Sequence, residues 1–249
     1  MQQPETKQIL DAASYLGYFL LRNGAEISRV EDTVSRICMA YQVEQSHIFA
    51  ISSTLIITLE NNGETYTQTR RIRSITTNLD RVDQLNALSR YICEQKPSYE
   101  EMIRKMNEIE NRPLYSAKIS VFAYALISGA FAIFFGGSLA DGGVALGIGI
   151  VVRMTMLLLE SLKTSPFFTT AAASAIAALG AFWISYMFAG LHMDIIIIGI
   201  LMNLVPGVAL TNSIRDFIAT DYMSGMSRMA EAFFTATAIA LGAAVIFLW

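Results

Sequence analysis

The chain has 249 residues, of which 53% are hydrophobic and 16% charged, and its formal net charge is -3. A soluble domain carries about a quarter charged residues, so this composition excludes a protein that is soluble throughout. The charges are also unevenly placed, because only four of the 18 Lys and Arg residues follow Lys118. An N-terminal stretch of ordinary charge density therefore precedes a region typical of a membrane protein. The sequence has no basic cluster of the kind that would indicate a nucleic-acid partner.

The first stretch predicts two helices joined by a short turn. Apolar residues recur at helical spacing in ILDAASYLGYFL, so the first helix should end near Asn23 with Gly24 at its C-terminal cap. Ser28 followed by Glu31 predicts a capping box at the start of the second helix. The charged residues around this turn are Arg22, Glu26, Arg29 and Glu31. Helix termination and capping account for them without a function, and a functional role stays the alternative.

A change of period follows the second helix. The segment HIFAISSTLIITLE alternates with a period of two, which predicts one strand with Phe49, Ile51 and Leu55 on the same side. The sequence NNG predicts a turn, and ETYTQTRRIR predicts the returning strand.

Two more helices complete this part of the chain. Asn78 is the predicted N-cap of the third helix, and Ser98 with Glu101 forms a predicted capping box for the fourth. Pro113 should end the fourth helix. Residues 1–113 therefore predict a small cytoplasmic α+β domain with the element order α-α-β-β-α-α, long enough for one core.

The rest of the chain, 114–249, predicts a domain of five transmembrane helices. A membrane-spanning helix needs about 20 predominantly apolar residues. Five stretches meet this requirement, at about residues 119–140, 142–162, 167–190, 195–214 and 230–249. Small residues, including Gly143 and Gly147 in a GxxxG pattern, indicate tight helix packing within the bundle or against another chain.

Positive charge sets the expected orientation. With the N-terminal domain in the cytoplasm, the basic residues that flank the spans fall on the cytoplasmic side; these are Lys118, Lys163, Arg215 and Arg228. The opposite loops, GGSLADGG and GLHMD, contain no Lys or Arg, so the C-terminus should lie outside. Asp141 and Asp194 then begin the second and fourth spans as N-caps, with proton uptake as the alternative role.

Arg153 is a charge placed deep in the second span. Such a residue costs at least ~2.5 kcal/mol on insertion scales, so it normally faces a cavity or a partner. Glu160 lies two turns further on, nearly on the same face, and snorkelling to the inner surface accounts for it. For Arg153, a structural ion pair with a neighbouring helix and a substrate site both stay open.

The fourth span contains a second anomaly in NLVPGVALTN. Pro206 removes a backbone N–H, so the helix should kink or break there, and Gly207 loosens the same point. Asn203 lies one turn before, and Thr211 and Asn212 lie one turn after. Broken helices often hold the substrate in transporters, whereas a proline kink packed by its neighbours is the alternative.

A charged segment follows this break. Arg215 and Asp216 are adjacent, so on a helix they point in different directions and each needs its own partner. Arg228 and Glu231 are three apart and can pair with each other. We expect this group to form an inner gate or an anchor for the N-terminal domain, and an interfacial positive-inside loop explains it equally well.

Two long motifs resemble those of the bacterial threonine/serine exporter family. They are LRNGAEISRVEDTVSRIC and LVPGVALTNSIRDFIATDYMSGMSRMAEA, and NLDRVDQLNALSRYI is similar to a third family motif. The resemblance runs from about Leu10 to Trp249. The positions that match the family motifs are Gly24, Ala25, Glu26, Arg29, Val30, Glu31, Pro206, Gly207, Thr211, Asn212, Arg215, Asp216, Gly225, Arg228 and Glu231. The family does not assign their individual roles.

The resemblance implies a function. The family exports small hydrophilic carboxylates, and its split relatives include a succinate exporter. No ATP-binding motif is present, so transport is expected to be secondary and driven by the proton gradient across the bacterial cytoplasmic membrane. Fused members of the family continue into a second hydrophobic half. We therefore expect an oligomer in which a separate small membrane subunit supplies that half.

Arg153, Asn203, Pro206, Gly207, Thr211 and Asn212 are the predicted substrate-binding residues. Glu160, Arg215, Asp216, Arg228 and Glu231 are the predicted gate or coupling residues, and Gly24, Glu26, Arg29 and Glu31 form the motif of the N-terminal domain. No cofactor, metal or catalytic residue is predicted, because no metal-ligand or nucleophile–base pattern occurs. The alternative function is a membrane scaffold or sensor that regulates a partner without transporting anything.

Overall fold

The computed structural model describes residues 4–113 and 115–248, and the chain divides into two compact units. The first unit, called here the N-terminal unit, comprises Met1–Pro113 and Leu210–Met229. The second, called the membrane unit, comprises Leu114–Ala209 and Ala230–Trp249. The predicted division into domains 1–113 and 114–249 stays a prediction about independent folding.

The N-terminal unit contains four helices and a three-stranded antiparallel sheet before residue 113. The helices are α1 (Thr6–Arg22), α2 (Ile27–Ala40), α3 (Leu79–Gln95) and α4 (Tyr99–Glu110). The strands are β1 (Gln45–Ile51), β2 (Thr54–Asn61) and β3 (Glu64–Arg71), in the spatial order β1-β2-β3. Helix α1 packs against α2, the sheet, α3 and α4, so the core of this unit surrounds it.

The sheet corrects the predicted element order, because the first predicted strand is a hairpin. Ile51 pairs with Thr54, so the chain turns back within two residues. The element order is therefore α-α-β-β-β-α-α. Paired residues share a face of the sheet, and the inward face changes from even to odd positions at this turn. Ala50 and Leu55 are accordingly buried, whereas Phe49, predicted to lie on the same side as Leu55, is 54% exposed.

In the N-terminal unit, the N-caps of the helices follow the sequence at two of three predicted positions. The side chain of Asn78 accepts a hydrogen bond from the Arg81 N–H, and Ser98 accepts one from the Glu101 N–H. The predicted capping box of Ser28 and Glu31 is wrong, because α2 begins two residues earlier than a Ser28 cap requires, at Ile27 with Glu26 as its N-cap.

The membrane unit is built from long apolar helices. They are α5 (Ala117–Phe134), α6 (Leu139–Ser161), α7 (Pro166–Met187) and the short α8 (Met193–Leu201). Helix α9 (Gly207–Ile218) has its first residues in this unit and the rest, from Leu210, in the N-terminal unit. Helix α10 (Tyr222–Ala243) belongs to this unit from Ala230 onwards, and a 3₁₀ turn at Ala244–Leu248 follows it. Helix α8 packs against α5, α6 and α7.

Four helices among the described residues are long and apolar enough to cross a membrane. They are Ala117–Phe134, Leu139–Ser161, Pro166–Met187 and Tyr222–Phe247. Five spans are not confirmed, because the predicted fourth span is divided into α8, with 9 residues, and α9, with 12. The predicted end of the last span, Trp249, lies outside the described residues.

Glycines bring α5 close to α6 and α8, although not the glycines expected. A Cβ atom on Gly129 would lie 2.9 Å from the carbonyl oxygen of Gly142, and one on Gly199 would lie 2.7 Å from the backbone nitrogen of Ala132. A Cβ on Gly143 or Gly147 would meet no described atom within 4 Å. The GxxxG pattern therefore does not mark a helix contact within the described chain.

Candidate transport site

The candidate site includes a break in the helix between α8 and α9. Helix α8 ends at Leu201 and α9 begins at Gly207, with Pro206 between them as the residue that lacks an N–H. Within the break the Leu204 N–H donates to the Leu201 carbonyl at 2.8 Å, and the Gly207 N–H donates to the Val205 carbonyl at 2.8 Å. The break predicted at Pro206 is therefore present.

Asn203 lies inside this break and contacts α5. Its Nδ2 donates to the Ser128 Oγ at 2.9 Å and also lies 3.3 Å from the Ile200 carbonyl. Ser128 is fully buried, and its hydroxyl donates in turn to the carbonyl oxygen of Tyr124 at 2.9 Å. The amide is thus held against the middle of a membrane helix by a buried hydroxyl.

Arg153 contacts the same helix α5 from α6. Its Nε donates to the Ser120 Oγ at 2.9 Å, and its Nη1 donates to the Glu160 Oε1 at 3.1 Å. The Arg153 side chain is 19% exposed and that of Glu160 is 50% exposed. The ion-pair partner of Arg153 is therefore on its own helix, α6, rather than on a neighbouring one. The contact of Arg153 with the neighbouring helix α5 is the hydrogen bond to Ser120.

The contacts of Arg153 and Asn203 define one face of α5. Ser120, Tyr124 and Ser128 are spaced four residues apart, so they lie on one side of the helix in successive turns. Their hydroxyls were missed by the sequence analysis. The signal that could have found them is the four-residue spacing of polar side chains within an otherwise apolar helix.

A buried carboxylate fixes the end of the membrane unit opposite Glu160. Asp141 is fully buried and accepts hydrogen bonds from the backbone N–H and the Oγ of Ser138, both at 2.8 Å. It also accepts one from the His192 N–H at 2.8 Å and lies 3.0 Å from the His192 Nδ1. The predicted N-cap roles are wrong, because Ser138 and His192 are the N-caps of α6 and α8, with Asp141 and Asp194 inside the first turns.

A buried ion pair lies in the second part of the N-terminal unit. The Arg228 Nε is 3.1 Å from the Asp216 Oδ2, and the two side chains are 6% and 5% exposed. Burial raises the pKa of the Asp216 carboxyl, and Arg228 opposes that shift. The predicted pairing of Arg228 with Glu231 is therefore wrong; Glu231 is exposed and belongs to the membrane unit.

The same segment, 210–229, contacts the motif at the α1–α2 turn. An Nη2 N–H of Arg228 donates to the Ala25 carbonyl at 3.0 Å, and the Arg215 guanidinium forms an ion pair with Glu26. Arg215 and Asp216 accordingly have separate partners, as expected for adjacent residues on a helix. These contacts join residues 189 and 203 positions apart, so parts of the two long sequence motifs form one cluster.

Other motif residues shape the α1–α2 turn next to this cluster and attach α2 to the sheet. Gly24 has φ +89°, and a Cβ there would lie 3.1 Å from the Thr76 carbonyl oxygen, so a glycine fits this turn. Glu31 accepts a hydrogen bond from the Ala50 N–H at 2.8 Å and ties α2 to β1. Arg29 is exposed and lies 3.7 Å from Glu26.

The predicted substrate-binding residues are divided between the two units. Arg153, Asn203, Pro206 and Gly207 belong to the membrane unit, whereas Thr211 and Asn212 belong to the N-terminal unit. Asn212 is buried there, at 8% exposure. The roles of all six stay predictions.

Apolar helices of spanning length, a helix interrupted at a proline and polar side chains between the helices define a multi-pass membrane protein of the transporter class. The profile of a family described as "Putative threonine/serine exporter" matches residues 11–248. The chain belongs to this threonine/serine exporter family, which is a family of transporters rather than enzymes.

A curated relative from Mycobacterium tuberculosis has the name "Probable threonine/serine exporter". It is 24% identical over 241 residues, which cover 95% of this chain and 45% of the relative. The chain therefore spans about half the length of that relative. No solved structure matches the chain.

Proposed function

We propose that this chain is a subunit of a secondary transporter that exports a small carboxylate, either a threonine/serine-type amino acid or a succinate-type dicarboxylate, driven by the proton gradient. The observation that carries the proposal is the position of Arg153. It lies about 12 Å along α6 from the helix end at Ser161 and about 21 Å from the other end, and it contacts a neighbouring helix.

Arg153 can receive the substrate carboxylate. A guanidinium has five N–H donors, and the contacts to Ser120 and Glu160 engage two of them. Because the Glu160 carboxylate is itself half exposed, a substrate carboxylate competes with a similar group in a similar geometry. Exchange of Glu160 for substrate is the proposed binding step, and it uses the bidentate preference of arginine.

The break between α8 and α9 supports a second part of the site. Backbone groups that leave a helix are tolerated at membrane depth only against protein or a wet cavity. Asn203 and the backbone at Pro206 and Gly207 are the proposed ligands for the other polar groups of the substrate. Thr211 and Asn212 are proposed to line its path beyond the break.

The cluster of the N-terminal unit is the proposed gate and coupling element. Arg215, Asp216 and Arg228 are held by Glu26 and by the Ala25 carbonyl. The raised pKa of Asp216 supports a role in responding to protons. Glu160, as the competitor for Arg153, and Glu231, at the start of the membrane part of α10, complete the proposed coupling set.

The proposed setting is the bacterial cytoplasmic membrane, with the N-terminal unit in the cytoplasm. Helix α8 and the residues that follow it up to Ala209 would supply the fifth crossing, which places the C-terminus outside. A second membrane subunit is also part of the proposal, and reconstitution with and without it tests that part. The positive-inside distribution of Lys118, Lys163, Arg215 and Arg228 supports the orientation.

Efflux from proteoliposomes tests the proposal. The chain is reconstituted with and without the candidate second subunit, and efflux of labelled serine, threonine, succinate and uncharged analogues is measured with and without a proton gradient. We expect efflux of carboxylates only, and only with both subunits. Efflux from this chain alone would refute the two-subunit arrangement, and no efflux of any carboxylate would favour the scaffold or sensor.

Two variants locate the carboxylate site. Arg153→Lys keeps the positive charge and removes the bidentate fork, so export should fall at least tenfold, the loss of one charge-assisted hydrogen bond. Glu160→Gln removes the competing carboxylate and is the matched variant; it should retain substrate binding. Full export by Arg153→Lys would exclude bidentate recognition.

A further inference from the structure

Tyr124 has a buried hydroxyl that the protein does not satisfy. Its Oη is inaccessible to solvent and has no hydrogen-bond partner among the described residues. The ring packs against the apolar core of the membrane unit, so the side chain is fixed by its ring. A phenylalanine would make the same ring contacts without burying an unpaired polar group, which is unfavourable.

Along α5, Tyr124 lies between the two serines that accept these polar contacts. Ser120, bound by Arg153, is one turn before Tyr124, and Ser128, bound by Asn203, is one turn after. The residue whose hydroxyl has no partner among the described residues is therefore one helical turn from each of the two serines that the proposed substrate ligands contact.

The distance between these serines along α5 shows why a third group is needed. Ser120 and Ser128 are eight residues apart, which is about 12 Å along a helix. One fully extended residue spans only about 3.5 Å, so a substrate the size of a single amino acid does not contact the Ser120 and Ser128 positions at once, and Arg153 and Asn203 would bind it at successive points of its path. A ligand half way along the same face can hold its second polar group.

We infer that the Tyr124 hydroxyl binds the second polar group of the substrate while Arg153 binds its carboxylate. A phenol both donates and accepts, so it accepts from an ammonium or hydroxyl group and donates to a second carboxylate. The ligand class is a small carboxylate with one further polar group. This inference rests on the proposed function and makes Tyr124 a specificity-determining residue of that site.

Tyr124→Phe separates this role from a structural one. The variant removes one oxygen and keeps the ring, so the unliganded protein should be as stable as the wild type or more stable. Its affinity for serine or succinate should fall roughly 10- to 100-fold, the loss expected for a hydrogen bond to a charged group. Its affinity for butyrate, which has a carboxylate and no second polar group, should not change.

The measurements use the complete transporter in detergent and in proteoliposomes. Thermal unfolding is followed without ligand and with increasing serine, succinate or butyrate, and efflux is measured in parallel. Tyr186→Phe is the matched control, because Tyr186 is 79% exposed on α7 and loses the same oxygen. That control should behave as the wild type with all three ligands.

The outcomes are distinct. Unchanged affinity of Tyr124→Phe for serine and succinate would overturn the inference, since the hydroxyl would then make no contribution to substrate binding. An equal loss for butyrate would also overturn it, because the hydroxyl would then act on the carboxylate or on folding. If the wild type neither binds nor exports any carboxylate, the proposed function fails and the inference fails with it.

Discussion

Replacing Arg228 by Met should destabilise the N-terminal unit by about 4 kcal/mol. The substitution leaves Asp216, whose side chain is 5% exposed, as a buried carboxylate without its cation. Removing one partner of a buried pair costs about 3–5 kcal/mol. The Ala25 carbonyl also loses its Arg228 donor, and the two losses concern one side chain, so we do not add them.

The loss should depend on pH with a defined sign. Burial raises the pKa of the Asp216 carboxyl in the folded protein. When the pKa of a carboxyl is higher in the folded than in the unfolded protein, the folded state binds more protons between the two pKa values. The free energy of unfolding therefore increases as the pH falls through the folded-state pKa towards the pKa of the unfolded chain. Without Arg228 the folded-state pKa of Asp216 should rise further, so the deficit of the variant should be largest at pH 7.5 and smaller at pH 5.5.

Urea unfolding of the full chain in detergent measures these values. Pulse proteolysis at each urea concentration, with mass spectrometry of fragments from residues 4–113, reports the free energy of unfolding of this unit. Arg215→Met is the matched control: it removes an arginine from the same segment, but its side chain is 53% exposed. That ion pair should contribute less than about 1 kcal/mol.

The double variant Asp216→Asn with Arg228→Met should recover most of the lost stability, because no charge stays buried without a partner. A deficit below 1 kcal/mol for Arg228→Met, or a deficit that grows as the pH falls, would refute the assignment of this pair as a buried stabilising contact.

Three further variants test the packing. Gly199→Ala should destabilise the membrane unit by about 1–3 kcal/mol, because its Cβ would overlap Ala132. Gly143→Ala is the control and should have little effect, because a Cβ there meets nothing within 4 Å. Trp183 fluorescence during thermal unfolding compares the two variants. Gly24→Ala should cost about 1–2 kcal/mol, because φ is +89°, as measured by the pulse proteolysis described above. Asp141→Ala should lower the unfolding temperature by several degrees, since the His192 and Ser138 N–H groups lose their acceptor. The exposed Asp194→Ala should stay within about 0.5 kcal/mol of the wild type, and equal effects of the two Asp variants would contradict the buried junction.

Periodicity predicted most helices, but it failed at the first hairpin for a physical reason. The alternation of apolar residues continues through Ser52 and Ser53, so it resembles one long strand. A two-residue turn changes which parity faces the core, and Phe49 is exposed while Leu55 is buried. Neither serine has the Asn-Gly chemistry that marked the second turn, and no local signal separated the two strands.

The candidate site was predictable where its contacts are local. The interrupted helix at Pro206 and the common face of Arg153 and Glu160 follow from residues close in sequence. The partners on α5 depend on how each helix is rotated about its axis, which an evenly apolar sequence does not specify. In the same way, Glu231 is a sequence neighbour of Arg228, whereas its actual partner Asp216 is reached only across the turn between α9 and α10.

The composition of the N-terminal unit has a consequence for synthesis of the chain. Residues 4–113 leave the ribosome early, but Arg215 is 102 residues and Arg228 is 115 residues further along the chain. At about 5–20 residues per second, the ribosome takes roughly 5–20 s to translate that interval. During this time Glu26 and the Ala25 carbonyl lack their arginine partners, so a nascent chain arrested within α7 should be cleaved by protease near Ala25 at a site that the finished chain protects.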